Sequence, residues 1–250
     1  MAVHRRFVAT TYNLWGVHRW PERADALRSY CELAAPDILC LQEFSEPAQQ
    51  VIDAALPRHE RVQDDFEGWR DQGNIYWSTD LFEKVEYGAV EVGQQNPSRR
   101  LFWVRLRPNG SEGSVLVATV HLTYQGNERE RLEGVSPRLN EARQVIAAVD
   151  ELTDDREPVL IMGDLNDSVN VIRLFQEAGY TDSFKACGAP LQPTHPTVPT
   201  GGDFLAPLVL DWQFARGPIR AMNSHVGDYF DQDLAPSDHK PVVATYGLEI

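Results

Sequence analysis

Residues 158–167 read PVLIMGDLND, and residues 237–242 read SDHKPV. The first stretch has no polar residue between Pro158 and Met162, so it has no face to show to water. A short unbroken apolar run of this kind reads as a strand covered on both sides. It ends at Gly163, and Asp164, Asn166 and Asp167 follow at once. We assign the tight exit to Gly163 and expect the polar cluster after it to face a substrate. The second stretch sets Asp238 and His239 between a turn marked by Pro236 and an apolar tail.

The same arrangement recurs along the chain. Asn13 follows VATTY, Glu43 follows ILCLQ, His121 follows VLVATV, and Asp211 follows LVL. Strand ends gathered at one edge of a sheet are where open α/β folds build their sites. Taken singly, each residue has a structural explanation: Asn13 caps a turn, Glu43 caps the helix starting near Glu46, and Asp164 makes an Asx-turn. Taken together, acid, amide and imidazole groups at these ends, with no hydroxyl or thiol nucleophile among them, point to oxygen ligands for a hard cation. The chain lacks a GxxxxGK[ST] phosphate loop, HExxH, GxSxG and GxGxxG.

Between these points strand and helix signals alternate. Residues 8–14 (VATTYNL) are rich in β-branched and aromatic residues and predict a strand. Pro21 opens a helix with Ala24, Leu27 and Cys31 on one face, Pro36-Asp37 ends it, and residues 38–44 predict a buried strand. A second helix over 46–56 stops at Pro57. Strands are predicted over 73–78, 81–92, 100–106 and 114–122, then a helix over 137–152 with Leu139, Ala142, Val145, Ile146, Val149 and Leu152 on one side. A short helix over 169–179 and strands over 208–217 and 241–250 complete the series. Residues 186–207 carry five prolines and read as a long surface loop, a length often tied to function. We expect one mixed α/β domain over residues 1–250, with antiparallel character.

Composition narrows the function classes. The 250 residues include 37 acidic and 23 basic ones, a net charge of −14, with no lysine- or arginine-rich run. Long nucleic acids are held largely through neutralised phosphates, so strong non-specific DNA binding is not expected. No apolar stretch approaches the roughly 18 residues of a membrane span. The first sixteen residues, MAVHRRFVATTYNLWG, lack the apolar region and cleavage site of a signal peptide, so the expected location is cytoplasmic. Cys31, Cys40 and Cys187 form no CxxC, and Cys31 and Cys40 are read as reduced core residues.

YNLWG (12–16), LQE (41–43), VHL (120–122), GDLND (163–167), LDWQF (210–214) and SDHKPV (237–242) resemble, in order and approximate spacing, the endonuclease/exonuclease/phosphatase (DNase I-like) superfamily. The resemblance runs from Asn13 to Val242. It implies a four-layered α/β sandwich, two mainly antiparallel sheets face to face with helices outside, and a Mg²⁺-dependent phosphoesterase, with Mn²⁺ able to substitute. By that resemblance Glu43, Asn13 and Asp238 lie at the metal. Asp164 orients or deprotonates the attacking water with Asn166 as its partner, His239 contacts the scissile phosphate, Asp211 fixes and polarises His239, and His121 matches the mid-chain histidine. Many relatives carry a second Asn where Trp15 stands here; Trp15 then stacks on a base, lines an apolar pocket or belongs to the core. DWQF replaces the commoner DYIF or DHIF.

Arg99-Arg100 and Tyr124-Gln125 are placed to touch phosphate or leaving group, the arginines otherwise lying in a solvated hairpin; Arg100 and Tyr124 are substrate-binding candidates alongside Trp15. Trp69, Trp77 and Trp103 are expected in the core, and His195 as a loop residue within reach of the site. The acidic balance favours a small phosphorylated molecule or a short nucleic-acid end. The alternative is an endonuclease or exonuclease on DNA or RNA. A non-catalytic binding protein on the same fold is the rival from another class, disfavoured because Glu43 and His239 are both present.

Overall fold

Apolar strands with no polar face must be covered on both sides, and that demand sets the layering seen in the computed structural model. The structure describes residues 4–154, 156–202 and 206–249. Residues 203–205 of the expected 186–207 loop, and residues 1–3, 155 and 250 of the expected domain, lie outside the described residues. The strands are β1 (His4–Asn13), β2 (Ile38–Gln42), β3 (His59–Arg61), β4 (Gly73–Ser78), β5 (Phe82–Val90), β6 (Leu101–Pro108), β7 (Val115–His121), β8 (Val159–Asp164), β9 (Thr181–Asp182), β10 (Asp211–Arg216), β11 (Ile219–Val226) and β12 (Val242–Glu249). The helices are α1 (Ala24–Ala34), α2 (Glu46–Ala55), α3 (Gly68–Asp71), α4 (Glu128–Glu133), α5 (Arg138–Leu152), α6 (Asn170–Glu177) and α7 (Ser183–Cys187).

Two six-stranded sheets form, ordered β11-β12-β1-β2-β4-β3 and β5-β6-β7-β8-β10-β9. Each has one parallel pair at its centre, β1–β2 and β7–β8, flanked by antiparallel neighbours. The alternation along β8 divides its apolar run between two cores. Leu160 and Met162 enter the core between the sheets with Phe7, Cys40, Trp77, Val117 and Tyr246. Val159 and Ile161 turn outward to Val145 and Val149 of α5 and Phe175 of α6. In the first sheet, Ile38 and Cys40 face inward while Leu39 and Leu41 meet Leu27 of α1 and Ile52 of α2. Helix, sheet, sheet, helix is the four-layered sandwich that was expected. No described helix is long and apolar enough to cross a membrane.

The two sheets are also tied by buried polar side chains near one end. Gln42 of β2 donates from Nε2 to Thr119 Oγ1 of β7 at 2.8 Å. Gln213 of β10 donates to the carbonyls of Val242 at 2.7 Å and Ala9 at 3.2 Å. The glutamine in DWQF is therefore a strut between sheets. Trp69, Trp77 and Trp103 are buried, as expected of core residues.

Several elements had no sequence signal. Strand β11 reads IRAMNSHV, and a register shift between Ala221 and Asn223 breaks its alternation midway. The short segments β3, β9, α3, α4 and α7 span six residues or fewer, too few for a period to appear.

Gly163 stands opposite Val120 of the parallel strand β7, and a Cβ there would overlap the Val120 carbonyl oxygen. Close approach of two strands, rather than a turn, requires this glycine. Gly163→Ala is expected to lower unfolding free energy by about 2 kcal/mol or more, measured by urea denaturation. A value near zero would show that β7 yields freely at this point.

Candidate active site

Both parallel pairs end flush at the same edge of the sandwich. Asn13 is in register with Gln42, and His121 with Asp164, while β10 begins at Asp211 opposite Asp164. The chain then turns sharply at the strand exits: Trp15, Glu43 and Asn166 have φ of +59°, +47° and +49°. Left-handed backbone at non-glycine residues is uncommon and gathers at functional sites. The exit after β8 thus rests on Asn166, a residue type that tolerates this conformation, and not on Gly163 as the sequence reading had it.

Asp164 Oδ2 is the point where the groups meet. It accepts from Asn13 Nδ2 at 3.0 Å and lies 3.4 Å from His121 Nε2 and 3.8 Å from His239 Nε2. The other oxygen, Oδ1, accepts from the Asn166 backbone N–H at 2.9 Å. Asn166 Nδ2 donates to the Leu122 carbonyl at 3.0 Å and stands 3.1 Å from His121 Nε2. Because the carbonyl demands a donor there, His121 Nε2 accepts and its proton sits on Nδ1. On the far side, His239 Nδ1 donates to Asp211 Oδ2 at 2.8 Å.

Asn13 Nδ2 also lies 3.3 Å from Glu43 Oε1, and its own Oδ1 accepts from the Trp15 N–H at 2.9 Å. Ser237 Oγ stands 2.7 Å from the Asn13 carbonyl oxygen and 3.2 Å from Asp238 Oδ1. Asn13, Glu43 and Asp238, the expected metal residues, are in this way brought together, with the one Ser237 hydroxyl proton shared between the Asn13 carbonyl and Asp238.

Charge sorts the two histidines in opposite directions. Burial, with the charges of Arg99 and His239, pushes His121 well below its usual pKa. Burial would also lower His239, but Asp211 and Asp164 overcome it and raise His239 to about 10. Burial and the neighbouring Asp211 charge raise the Asp164 carboxyl. Burial would raise Asp238 too, yet His195 and His239 hold it below the usual carboxylate range. One histidine is a neutral hydrogen-bonding group and the other a cation.

Other expectations fare differently. Asp167, read as part of the substrate-facing cluster, turns away: its Oδ1 accepts from the N–H groups of Val169, Asn170 and Val171 and so caps α6. Arg100 lies over the Phe66 ring at 4.5 Å, while its neighbour Arg99 is the one whose charge reaches His121. Tyr124 is 57% exposed on the loop after β7. Trp15 is half-buried, with the Arg23 guanidinium 5.3 Å from its ring and His18 stacked at 5.6 Å. Arg23 itself is fully buried and donates to the carbonyls of His18, Gly16 and Pro236, pinning the Trp15 turn against the SDH segment. Its place in a helical pattern hid this role. His195 comes to the centre, its ring centroid 4.6 Å from that of His239.

The sequence model of the Endonuclease/Exonuclease/phosphatase family matches residues 10–239. Among solved structures, a humanized D. rerio TDP2 bearing 14 mutations superposes with a TM-score of 0.79 at 19% identity, covering 96% of this chain and 98% of that one. An endonuclease/exonuclease/phosphatase family protein from Bacteroides thetaiotaomicron gives 0.77 at 19% identity, with 99% and 100% covered. The mannosyl-6-phosphatase of Bacteroides thetaiotaomicron gives 0.74 at 19% identity, with 95% and 98% covered. A comparison with curated proteins gave no match.

The raised pKa of His239 has a measurable consequence. Below the unfolded value of about 6.5 the imidazolium exists in both states and the Asp211 pair contributes fully. As pH rises toward the folded value of about 10, the unfolded chain loses this proton first and the contribution falls. The difference in unfolding free energy between wild type and His239→Gln should therefore shrink from pH 7 to 10, by at most about 1.4 kcal/mol per pH unit. Parallel curves would mean His239 is neutral in the fold.

Proposed function

The chain belongs to the endonuclease/exonuclease/phosphatase family, and from that membership and the geometry of its site we propose that it is a divalent-metal-dependent phosphoesterase acting on a small phosphorylated molecule or a nucleic-acid end. The observation that carries this reading is the meeting at Asp164 Oδ2 of Asn13 from one sheet, His121 from the other, and His239 from the segment before β12. TDP2 from D. rerio has been seen with a single-stranded DNA product, and another structural neighbour is a mannosyl-6-phosphatase.

The donor set fits a hard cation. Glu43, Asp164, Asp211 and Asp238 bring four carboxylates to one small region, and among the described residues no lysine or arginine forms an ion pair with Glu43. Asp211 Oδ1 is buried without a hydrogen-bond partner. Such a site repels an anionic phosphate until a cation offsets it, and Mg²⁺ binds through one or two carboxylates plus substrate oxygens. Glu43, Asp238 and Asn13 would hold the ion. When bound it supplies charge neutralisation at the phosphoryl oxygens.

The protein's own groups then divide the work. Asp164, whose raised pKa makes it a stronger base than an ordinary carboxylate, accepts a proton from water as the oxygen attacks phosphorus. Asn13 and the Asn166 N–H hold its two oxygens so that the carboxylate cannot rotate. His239, kept cationic by Asp211, lies against the same region and stabilises charge building on the phosphoryl oxygens. His121, neutral and held at Nε2 by the Asn166 amide, fills the place beside Asp164 without adding charge. The ester bond breaks with its electrons on the departing oxygen, and no covalent enzyme intermediate is needed.

Hydrolysis of bis-p-nitrophenyl phosphate and p-nitrophenyl phosphate with Mg²⁺, Mn²⁺ or EDTA tests the reading. Release is expected only with metal, and Asp164→Asn or Glu43→Gln should each reduce it by about a hundredfold or more with folding intact. Full metal-dependent activity in Glu43→Gln would remove that residue from the metal. The preference between diester and monoester selects nuclease-like or phosphatase-like substrates.

A further inference from the structure

The long proline-rich loop does not leave the site to solvent. Thr194 accepts from the Lys240 N–H at 2.7 Å, and the Thr197 N–H donates to the Asp238 carbonyl at 2.6 Å. Thr200 Oγ1 accepts from the Ala235 N–H at 2.9 Å. Gly201 packs so closely that an added Cβ would come 2.6 Å from the Asp238 Cβ. Residues 194–201 are strapped along the SDH segment on both sides of Asp238. In the middle of this strap His195 presents its ring to His239 at 4.6 Å and its Nε2 to Asp238 Oδ2 at 3.7 Å.

We propose that His195 is a positioning residue that fixes the Asp238 carboxylate for divalent-cation binding; the inference rests on the functional reading that gives Asp238 to the metal. The two oxygens of Asp238 have different keepers. Oδ1 lies 3.2 Å from Ser237 Oγ, and Oδ2 faces the His195 ring. Groups behind a metal ligand set its orientation, and losing one typically weakens metal affinity by about ten- to a hundredfold. The other ring nitrogen, Nδ1, is buried with no hydrogen-bond partner. An apolar ring would fill the same space without that orphaned atom, so packing alone does not account for a histidine here. The ring is turned so that Nε2, not the unpartnered Nδ1, faces the carboxylate.

The test reads Mn²⁺ binding directly, by the loss of the free-ion electron paramagnetic resonance signal, on the full chain. His195→Phe keeps a ring against His239 and removes the nitrogen facing Asp238. It should weaken Mn²⁺ binding by about tenfold or more while thermal unfolding stays near wild type. His195→Gln, which restores a donor without the ring, should recover much of the affinity. If His195→Phe does not fold, His195→Gln and His195→Leu carry the same comparison. Asp238→Asn is the control for the underlying reading. Lost binding in Asp238→Asn with unchanged binding in His195→Phe overturns the positioning role and leaves the metal assignment standing. Unchanged binding in Asp238→Asn overturns both.

Discussion

A single hydrogen bond, from the Asn13 amide to the Asp164 carboxylate at 3.0 Å, joins the ends of two strands that belong to different sheets. Everything the site does requires those two ends to stay together. Asn13 belongs to the first sheet and Asp164 to the second, and nothing in the apolar layer between them defines their relative position to a fraction of an ångström. Apolar contact is non-directional. The directional links are polar: Gln42 to Thr119, and Gln213 to the backbone of β1 and of the strand entry at Val242. A buried amide left unpaired costs more than a formed bond contributes, so these bridges oppose sliding of one sheet over the other.

The electrostatics depend on the same geometry. Four carboxylates brought close would repel, and the structure relieves this in different ways at the three aspartates. Asp211 is paired with the imidazolium of His239, Asp164 has its pKa raised by burial and by Asp211, and Asp238 sits among histidines. His121 takes no part in that compensation because burial and nearby cations keep it uncharged. Two histidines about the same Asp164 oxygen thus acquire different chemistry from their surroundings alone.

Much of the layering was legible because it comes from local constraints. The apolar runs of β2 and β8, and of β7 with its single Thr119, announce strands covered on both faces, and the polar residues after them mark one sheet edge. The helix at 138–152 was readable from its period. What stayed hidden depends on contacts remote in sequence or on broken patterns. Strand β11 changes face at its bulge, so neither half shows enough alternation to be read. Asp167 looked like a site residue because it neighbours one, whereas its carboxylate is consumed by the first turn of α6. Arg99 and Arg100 are interchangeable in sequence, and only packing against Phe66 separates them. His195 is 44 residues from His239, within a loop that has no periodicity to betray its partner.

The position of β12 bears on how the protein is made. β12 follows every other described strand in the chain, yet it lies inside its sheet, between β11 and β1. During synthesis β1 can pair with β2 early, but its other edge waits until β12 emerges. Ser237, Asp238 and His239 arrive with that strand, immediately before Val242. Until β12 is in place, the folding chain carries an open, partly apolar edge on β1 and is without its cationic histidine. Insertion of β12 protects that edge and supplies the histidine in one event, so a folding intermediate without β12 is neither fully sheltered nor a competent hydrolase.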